Sequence, residues 1–342
     1  MSPSHIDLGL AKRRGVQSSR ECVTIAPLDQ NVKIPLTIQT SIRSLKVDIW
    51  VQDNIETVQT LLRQNGALLF RGFDVTGQED LQNFTKAMGM QLMEYMEGAT
   101  PRKVLGNSVF TSTEFPPEHA IALHNENSYV MTWPAKICFC CIAAPQDRGE
   151  TPIGDVRGVL ARIDPSVRRR FESKGYMLVR SFSEHLGLPW RQSFHVSTPE
   201  ELEEYCRRAR IEMEWIGPEQ LRTRQVRPAL LRHPQTGDEL WFNHIAFWHA
   251  SSLEESIRKV LLAEYSEQGL PYNVFYGDGE PIDDSVVTHL REAYEAETVK
   301  FPWQRGDILL LDNMRVAHGR SPFSGPRKIL VSMGDPFTRT DC

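Results

Sequence analysis

Strand-like apolar runs stand near both ends of this chain, and the sequence between them is charged and helix-periodic. Near the start, Ala67-Leu68-Leu69-Phe70-Arg71-Gly72-Phe73 follows Gly66. Near the end, Asp307-Ile308-Leu309-Leu310-Leu311-Asp312 is followed, past a turn through Ser321-Pro322-Phe323-Ser324-Gly325-Pro326, by Arg327–Met333. Short apolar runs bounded by Gly and Pro read as buried strands. Two more strands are expected over 119–131 and 135–143, parted at Trp133-Pro134. A helix is expected from Gly77 to Met88, capped by Thr76. Residues 157–173, 198–209, 252–263 and 283–297 have helical spacing and many charges. Strand-like pieces, Tyr176–Ser181, Ala229–Arg232 and Glu239–Phe242, lie between them.

Strands at both ends with helices inserted between them fit a mainly β fold with a helical insert, a double-stranded β-helix or jelly roll. A doubly wound sheet fits poorly, since no glycine-rich phosphate loop is present. The expected organisation is a flexible N-terminal arm over 1–20 and one jelly-roll domain over 21–342, with a mostly helical insert around 157–300. A net charge of -5 argues against nucleic-acid binding. The basic run Arg168-Arg169-Arg170 sits among acidic residues and reads as a solvated helix face. Six scattered cysteines suggest a reducing compartment. No apolar leader opens the chain, and the longest apolar run, Ile137 to Ala144, is too short to span a bilayer. The expectation is a cytoplasmic protein with neither a membrane nor a nucleic-acid partner, its oligomeric state left open.

Chemistry concentrates in Leu123-His124-Asn125-Glu126-Asn127. Residues i and i+2 of an extended chain point to one face, so His124 and Glu126 can aim at one point. His318, in Asp312-Asn313-Met314-Arg315-Val316-Ala317-His318-Gly319-Arg320, is the candidate third ligand. Two histidines and one carboxylate on one face leave open positions on an octahedral metal, the arrangement of iron(II) oxygenases. Arg327 suits the far carboxylate of a 2-oxo diacid, and a hairpin can return it to the metal. Thr151, in Arg148-Gly149-Glu150-Thr151-Pro152, offers a hydroxyl donor.

At these residues the chain resembles the taurine dioxygenase (TauD/TfdA) superfamily, in the branch similar to the syringomycin-pathway aspartyl hydroxylase. The pieces that carry the resemblance are Gly66–Phe73, Thr111–Phe115, His124–Tyr129, Gly149–Pro152, Asp155–Arg157, Trp241–His244 and Arg315–Arg327, in that order. The resemblance implies a jelly roll, iron(II), 2-oxoglutarate and O2. It implies His124, Glu126 and His318 as metal ligands, with Thr151 and Arg327 as the 2-oxoglutarate clamp. It also implies an amino-acid-like small-molecule substrate, free or attached to a peptidyl carrier protein in natural-product synthesis. Arg148 stands where the family usually has the first of two glycines. Glu126 stands where taurine dioxygenase has aspartate and related halogenases a small residue, which favours hydroxylation or desaturation over halogenation.

Blander readings accompany these. Asn107, Glu114, Asn125, Trp241, Asn243, His244 and Arg320 are candidates for the substrate pocket, and each also reads as a structural residue. His244 and His249 read first as core histidines, with His244 lining a cavity in the resemblance. Cys138, Cys140 and Cys141 lack Cys-x-x-Cys spacing and read as small buried hydrophobes. The competing functions are a zinc hydrolase on the same ligands and a jelly-roll binding protein without turnover. Within the oxygenase class, desaturation or cyclisation competes with hydroxylation.

Overall fold

The computed structural model describes residues 22–30, 32–93, 97, 104–106, 109–112, 115–183 and 187–339, with the backbone alone for 104–106. The expected N-terminal arm, 1–20, lies outside these residues. The frame is an eight-stranded sheet that takes strands from both ends of the chain. Its order is Val23–Pro27, Leu36–Thr40, Ala67–Arg71, Ile308–Asp312, Thr132–Ala143, Lys328–Thr338, Val109–Thr111 and Val104–Gly106. Facing it is a three-stranded sheet, Ile121–His124, Val316–Arg320 and Ile153–Asp155. These two sheets form the jelly roll.

Side-chain alternation explains why the central strands are apolar throughout. Ala67, Leu69, Leu309, Leu311, Ile137 and Phe139 enter the core between the sheets, with Ile153 and Val316 from the smaller one. Leu68, Phe70, Ile308, Leu310, Cys138 and Cys140 point the other way. There they pack on Val47, Trp50, Val58, Leu62, Leu81 and Phe84 from the three early helices, Val47–Asp53, Ile55–Asn65 and Gln78–Ala87. A strand covered on both faces loses its polar alternation. The three strand cysteines are buried, and burial pushes their thiols up in pKa.

Three local expectations are corrected. The strand expected to begin after Trp133-Pro134 starts earlier, at Thr132, and runs through both residues, because Pro134 faces Pro336 on the neighbouring strand and neither position has an amide hydrogen to lose. The strand expected over 119–131 is shorter, Ile121–His124. The helix after Thr76 is capped from inside: one Asp80 carboxylate oxygen accepts the Thr76 and Gly77 amide hydrogens and the Thr76 hydroxyl.

Between Asp155 and the last strands come the helices Val156–Arg162, Pro165–Lys174, Pro199–Ala209, Glu255–Glu264 and Asp284–Ala296. They surround an antiparallel sheet ordered Glu212–Gly217, Gln220–Arg227, Tyr176–Phe182 and Tyr272–Tyr276. The arginine-rich Gln220–Arg227 was not legible as a strand. Its alternate residues Leu221, Thr223, Gln225 and Arg227 are buried, and the last two donate to the Tyr129 carbonyl. The second and third strand-like pieces pair as a short hairpin, Leu230–Arg232 with Glu239–Trp241. Among the described residues no helix is long and apolar enough to cross a membrane.

One buried ion pair ties the frame together. Arg71 donates to both Asp307 oxygens, Nε at 3.0 Å and Nη2 at 2.6 Å, and Nη2 reaches the Pro302 carbonyl at 3.1 Å. Arg71→Ala is expected to cost about 3–5 kcal/mol, because it strands the Asp307 carboxylate without its cation. Denaturant unfolding of wild type and variant measures this; a loss below about 1 kcal/mol would show that the pair is replaceable by water.

Candidate metal centre and its cavities

The site is a product of strand register. Val316–Arg320 lies between Ile121–His124 and Ile153–Asp155, antiparallel to both, with His318 opposite His124 on one side and Ile153 on the other. Glu126 follows two residues after His124, beyond the strand end. One ligand atom from each of His124, Glu126 and His318 falls within 4.8 Å of the others. His318 Nε2 stands 3.6 Å from Glu126 Oε2. That is close to the roughly 3 Å separating neighbouring ligands on an octahedral ion with bonds of about 2.1 Å.

The donor chemistry fits a divalent cation. His124 Nδ1 lies 2.9 Å from the Ala122 carbonyl. A carbonyl only accepts, so Nδ1 carries the hydrogen and Nε2 keeps its lone pair for a metal. Glu126 is held through its backbone. Its N–H donates to Asn313 Oδ1 at 2.8 Å, and Asn313 Nδ2 donates back to the Glu126 carbonyl at 2.9 Å and to Pro134 at 2.8 Å. Sequence reasoning missed Asn313, although it stands in the same run as His318. Asn125 does parallel work, donating to the Asn313 carbonyl at 2.7 Å. Gly319 allows the strands to close: a Cβ there would lie 2.5 Å from the Ile121 carbonyl.

Two cavities meet at His124. The smaller is lined by Ser112, Thr151, His318, Arg320 and Arg327. Arg327 donates to the Gly149 carbonyl at 2.9 Å, Ser112 Oγ at 3.3 Å and Thr151 Oγ1 at 3.5 Å. Trp303 Nε1 also donates to Thr151 Oγ1, at 3.2 Å. Burial, with Arg320 nearby, pushes the Arg327 pKa down to about 10. A guanidinium so deprived of water is suited to an anionic ligand.

The larger cavity, ≈ 700 Å³, is reached by His124 and Glu126. Its walls are aromatic, with Tyr129, Phe247, Trp248 and Tyr272 among them, and His244 joins them. His244 Nδ1 is 2.6 Å from Ser128 Oγ, and burial holds its pKa well below the usual imidazole range. Trp248 stacks on Tyr272 and forms part of this wall.

Other pocket candidates belong to the frame. Trp241 is fully buried against Phe171. Asn243 donates to Ala229 and accepts from the Ile245 amide, closing the turn before the helix Ile245–Trp248. Asn125 is turned toward Asn313. Arg320 borders the small cavity, but two of its nitrogens donate to the Phe115, Pro116 and His119 carbonyls and hold that loop. Asn107 and Glu114 lie outside the described residues.

Residues 25–333 match the family described as taurine catabolism dioxygenase TauD, TfdA. The chain belongs to this TauD, TfdA family. It is 39% identical to the dapdiamide synthesis protein DdaC of Enterobacter agglomerans over 279 residues, 82% of this chain and 85% of that protein. It is 29% identical to a clavaminate synthase-like protein of Arabidopsis thaliana over 341 residues, covering 96% and 98% of the two chains. Among solved structures, PvcB of Pseudomonas aeruginosa superposes with a TM-score of 0.55 at 17% identity, over 97% of this chain and 95% of that one. A second PvcB structure, described as an Fe, alpha-ketoglutarate dependent oxygenase from an isonitrile synthetic pathway, gives 0.54 at 16% identity, with the same coverage. This TauD-family chain is accordingly a dioxygenase that consumes O2, with His124, Glu126 and His318 placed to hold a metal, and the hydrolase and non-catalytic readings fall away.

Two outcomes follow from the geometry. Gly319→Ala is expected to lower iron(II) affinity by about tenfold or more, since supporting groups around a metal typically carry 10–100-fold. Anaerobic titration measures it, and unchanged affinity would show that the strands close without the glycine. His249, whose ring anchors the Ala250–Ser252 turn beside the cavity, is pushed down to about 4 by burial, from 6.5. Above pH 6.5 the ring is neutral folded or unfolded. Between pH 6.5 and about 4 the unfolded chain takes a proton that the native ring refuses, so stability falls. His249→Gln is expected to flatten that part of the stability–pH curve; an unchanged slope there would assign the loss to other groups.

Proposed function

We propose that this enzyme hydroxylates a C–H bond of an amino acid or amino-acid-derived small molecule, free or carried by a peptidyl carrier protein. In this reading His124, Glu126 and His318 hold iron(II), and Thr151 and Arg327 receive the far carboxylate of 2-oxoglutarate. The observation that carries it is the shared wall at His124, with a cationic chamber on one side and a large aromatic one on the other. A dicarboxylate co-substrate suits the first, and an organic substrate suits the second. The relatives support the choice of substrate class, since dapdiamide synthesis and clavaminate synthase are both names from small-molecule biosynthesis.

When bound, iron(II) with 2-oxoglutarate and O2 supplies the oxidation: one oxygen atom goes to the substrate C–H and the other to succinate, with loss of CO2. The protein's own residues do the rest. Ala122 fixes the His124 tautomer, and Asn313 fixes the Glu126 backbone. Arg327 orients the co-substrate by its charge and its fork of donors. His244, kept neutral by burial, presents no competing cation beside the metal. Phe247 and Trp248 exclude water from the carbon to be oxidised.

The first test is an anaerobic titration with iron(II) and 2-oxoglutarate, monitored by the visible charge-transfer band of the chelate. The band is expected in wild type. Arg327→Ala is expected to weaken 2-oxoglutarate by about 30-fold or more, the scale of a lost buried charge pair. His124→Ala and His318→Ala are expected to abolish the band in a folded protein. A full band in any of these variants removes that residue from its role. A screen of amino acids and aminoacyl carriers for a mass gain of one oxygen then tests the substrate class.

A further inference from the structure

The larger cavity contains a cation that the oxidation itself does not need. Arg291 projects from the helix Asp284–Ala296 and lines the cavity with Ser251 and Ser252. Its Nη2 donates to Ser251 Oγ at 2.8 Å and Ser252 Oγ at 2.9 Å. Both hydroxyl hydrogens are already committed. Ser252 donates to the Ala246 carbonyl at 2.9 Å. His249 Nε2 faces the Ile282 carbonyl, which only accepts, so Nδ1 is unprotonated and takes the Ser251 hydroxyl hydrogen at 2.8 Å. The serines therefore orient the guanidinium and leave ligand binding to its other N–H groups.

No carboxylate among the described residues lies within ion-pair distance of Arg291. Asp284, on the same helix, is engaged by both terminal nitrogens of Arg258, at 2.6 and 3.1 Å. Burial lowers the Arg291 pKa, so the cation is poorly solvated as well as unpaired. An oriented, half-buried guanidinium on the wall of an aromatic cavity is a receptor for an anion.

We propose that Arg291, held by Ser251 and Ser252, binds the carboxylate of the substrate and so determines which molecules are oxidised. This rests on the oxygenase reading above, because the cavity that Arg291 shares with His124 and Glu126 is where a substrate would meet the metal. A carboxylate anchored on Arg291 directs the rest of the molecule across the aromatic walls toward those two residues. Glu295, one helical turn further on, stands at the exposed edge of the same cavity. The two charges of an amino-acid backbone thus have counterparts on one helix face.

The test uses enzyme loaded anaerobically with iron(II) and saturating 2-oxoglutarate, so that the Arg327 chamber is filled. Phenylacetate and its uncharged isostere phenylacetamide serve as probes in isothermal titration calorimetry. Wild type is expected to prefer phenylacetate by about ten- to a hundredfold, the range of a charge-assisted hydrogen-bonded pair. Arg291→Gln is expected to bind the two alike, and Arg291→Lys to keep part of the preference. The chelate band is expected to be the same in all three proteins, which separates loss of the subsite from loss of the fold. Equal affinity for the probes in wild type, binding of neither, or a preference that survives in Arg291→Gln overturns the proposal. A missing band in wild type would instead count against the oxygenase reading, whatever the probes do.

Discussion

The pairing of Val316–Arg320 with its two neighbours is the constraint on which the site depends. A one-residue slip would turn His318 to the opposite face, because side chains alternate along a strand. Several contacts hold the register. Asn313 bridges to Glu126 and Pro134 before the strand begins. Arg315 donates to Asp155 and to the Arg63 and Gln64 carbonyls at the end of the helix Ile55–Asn65. Gly319 admits the Ile121 backbone, and Arg320 fastens the loop beyond it. The stretch from Asp312 to Arg320 is thus a single device, in which residues with no metal-binding chemistry set the position of one that has it.

Much of this was legible because two periodicities are simple. Apolar runs at both ends announced buried strands, and His124 with Glu126 obeyed the alternation that brings two donors together. His318 was found by its residue type and by the apolar strand before it. What could not be read was pairing. Nothing local distinguishes Asn313, which positions Glu126, from Asn243, which closes a distant turn; both are buried asparagines near a candidate histidine. Arg320 was more ambiguous than Arg327, and their surroundings differ in a way no local pattern records, since Arg327 meets Thr151 and Arg320 meets three carbonyls.

The insert hid its structure for a different reason. Gln220–Arg227 buries Thr223, Gln225 and Arg227, so its inward face is polar and a hydrophobicity pattern cannot reveal it. The Gln225 and Arg227 side chains are satisfied by carbonyls from other elements, which only the folded chain supplies. Trp241 and Trp248 show the same limit: two tryptophans in one short segment, one sealed in the core and one on the cavity wall.

The two chambers that meet at His124 are built from different parts of the chain. The cationic one is made by strand and loop residues of the jelly roll, such as Ser112, Thr151, Phe139 and Arg327. Much of the aromatic one comes from the insert, through His244, Trp248, Tyr272 and Arg291. Changes confined to the insert can therefore reshape one chamber and leave the other intact. A scaffold divided in this way can acquire new substrates without relearning how to hold its oxidant, since the parts under selection for novelty are not the parts that must stay fixed.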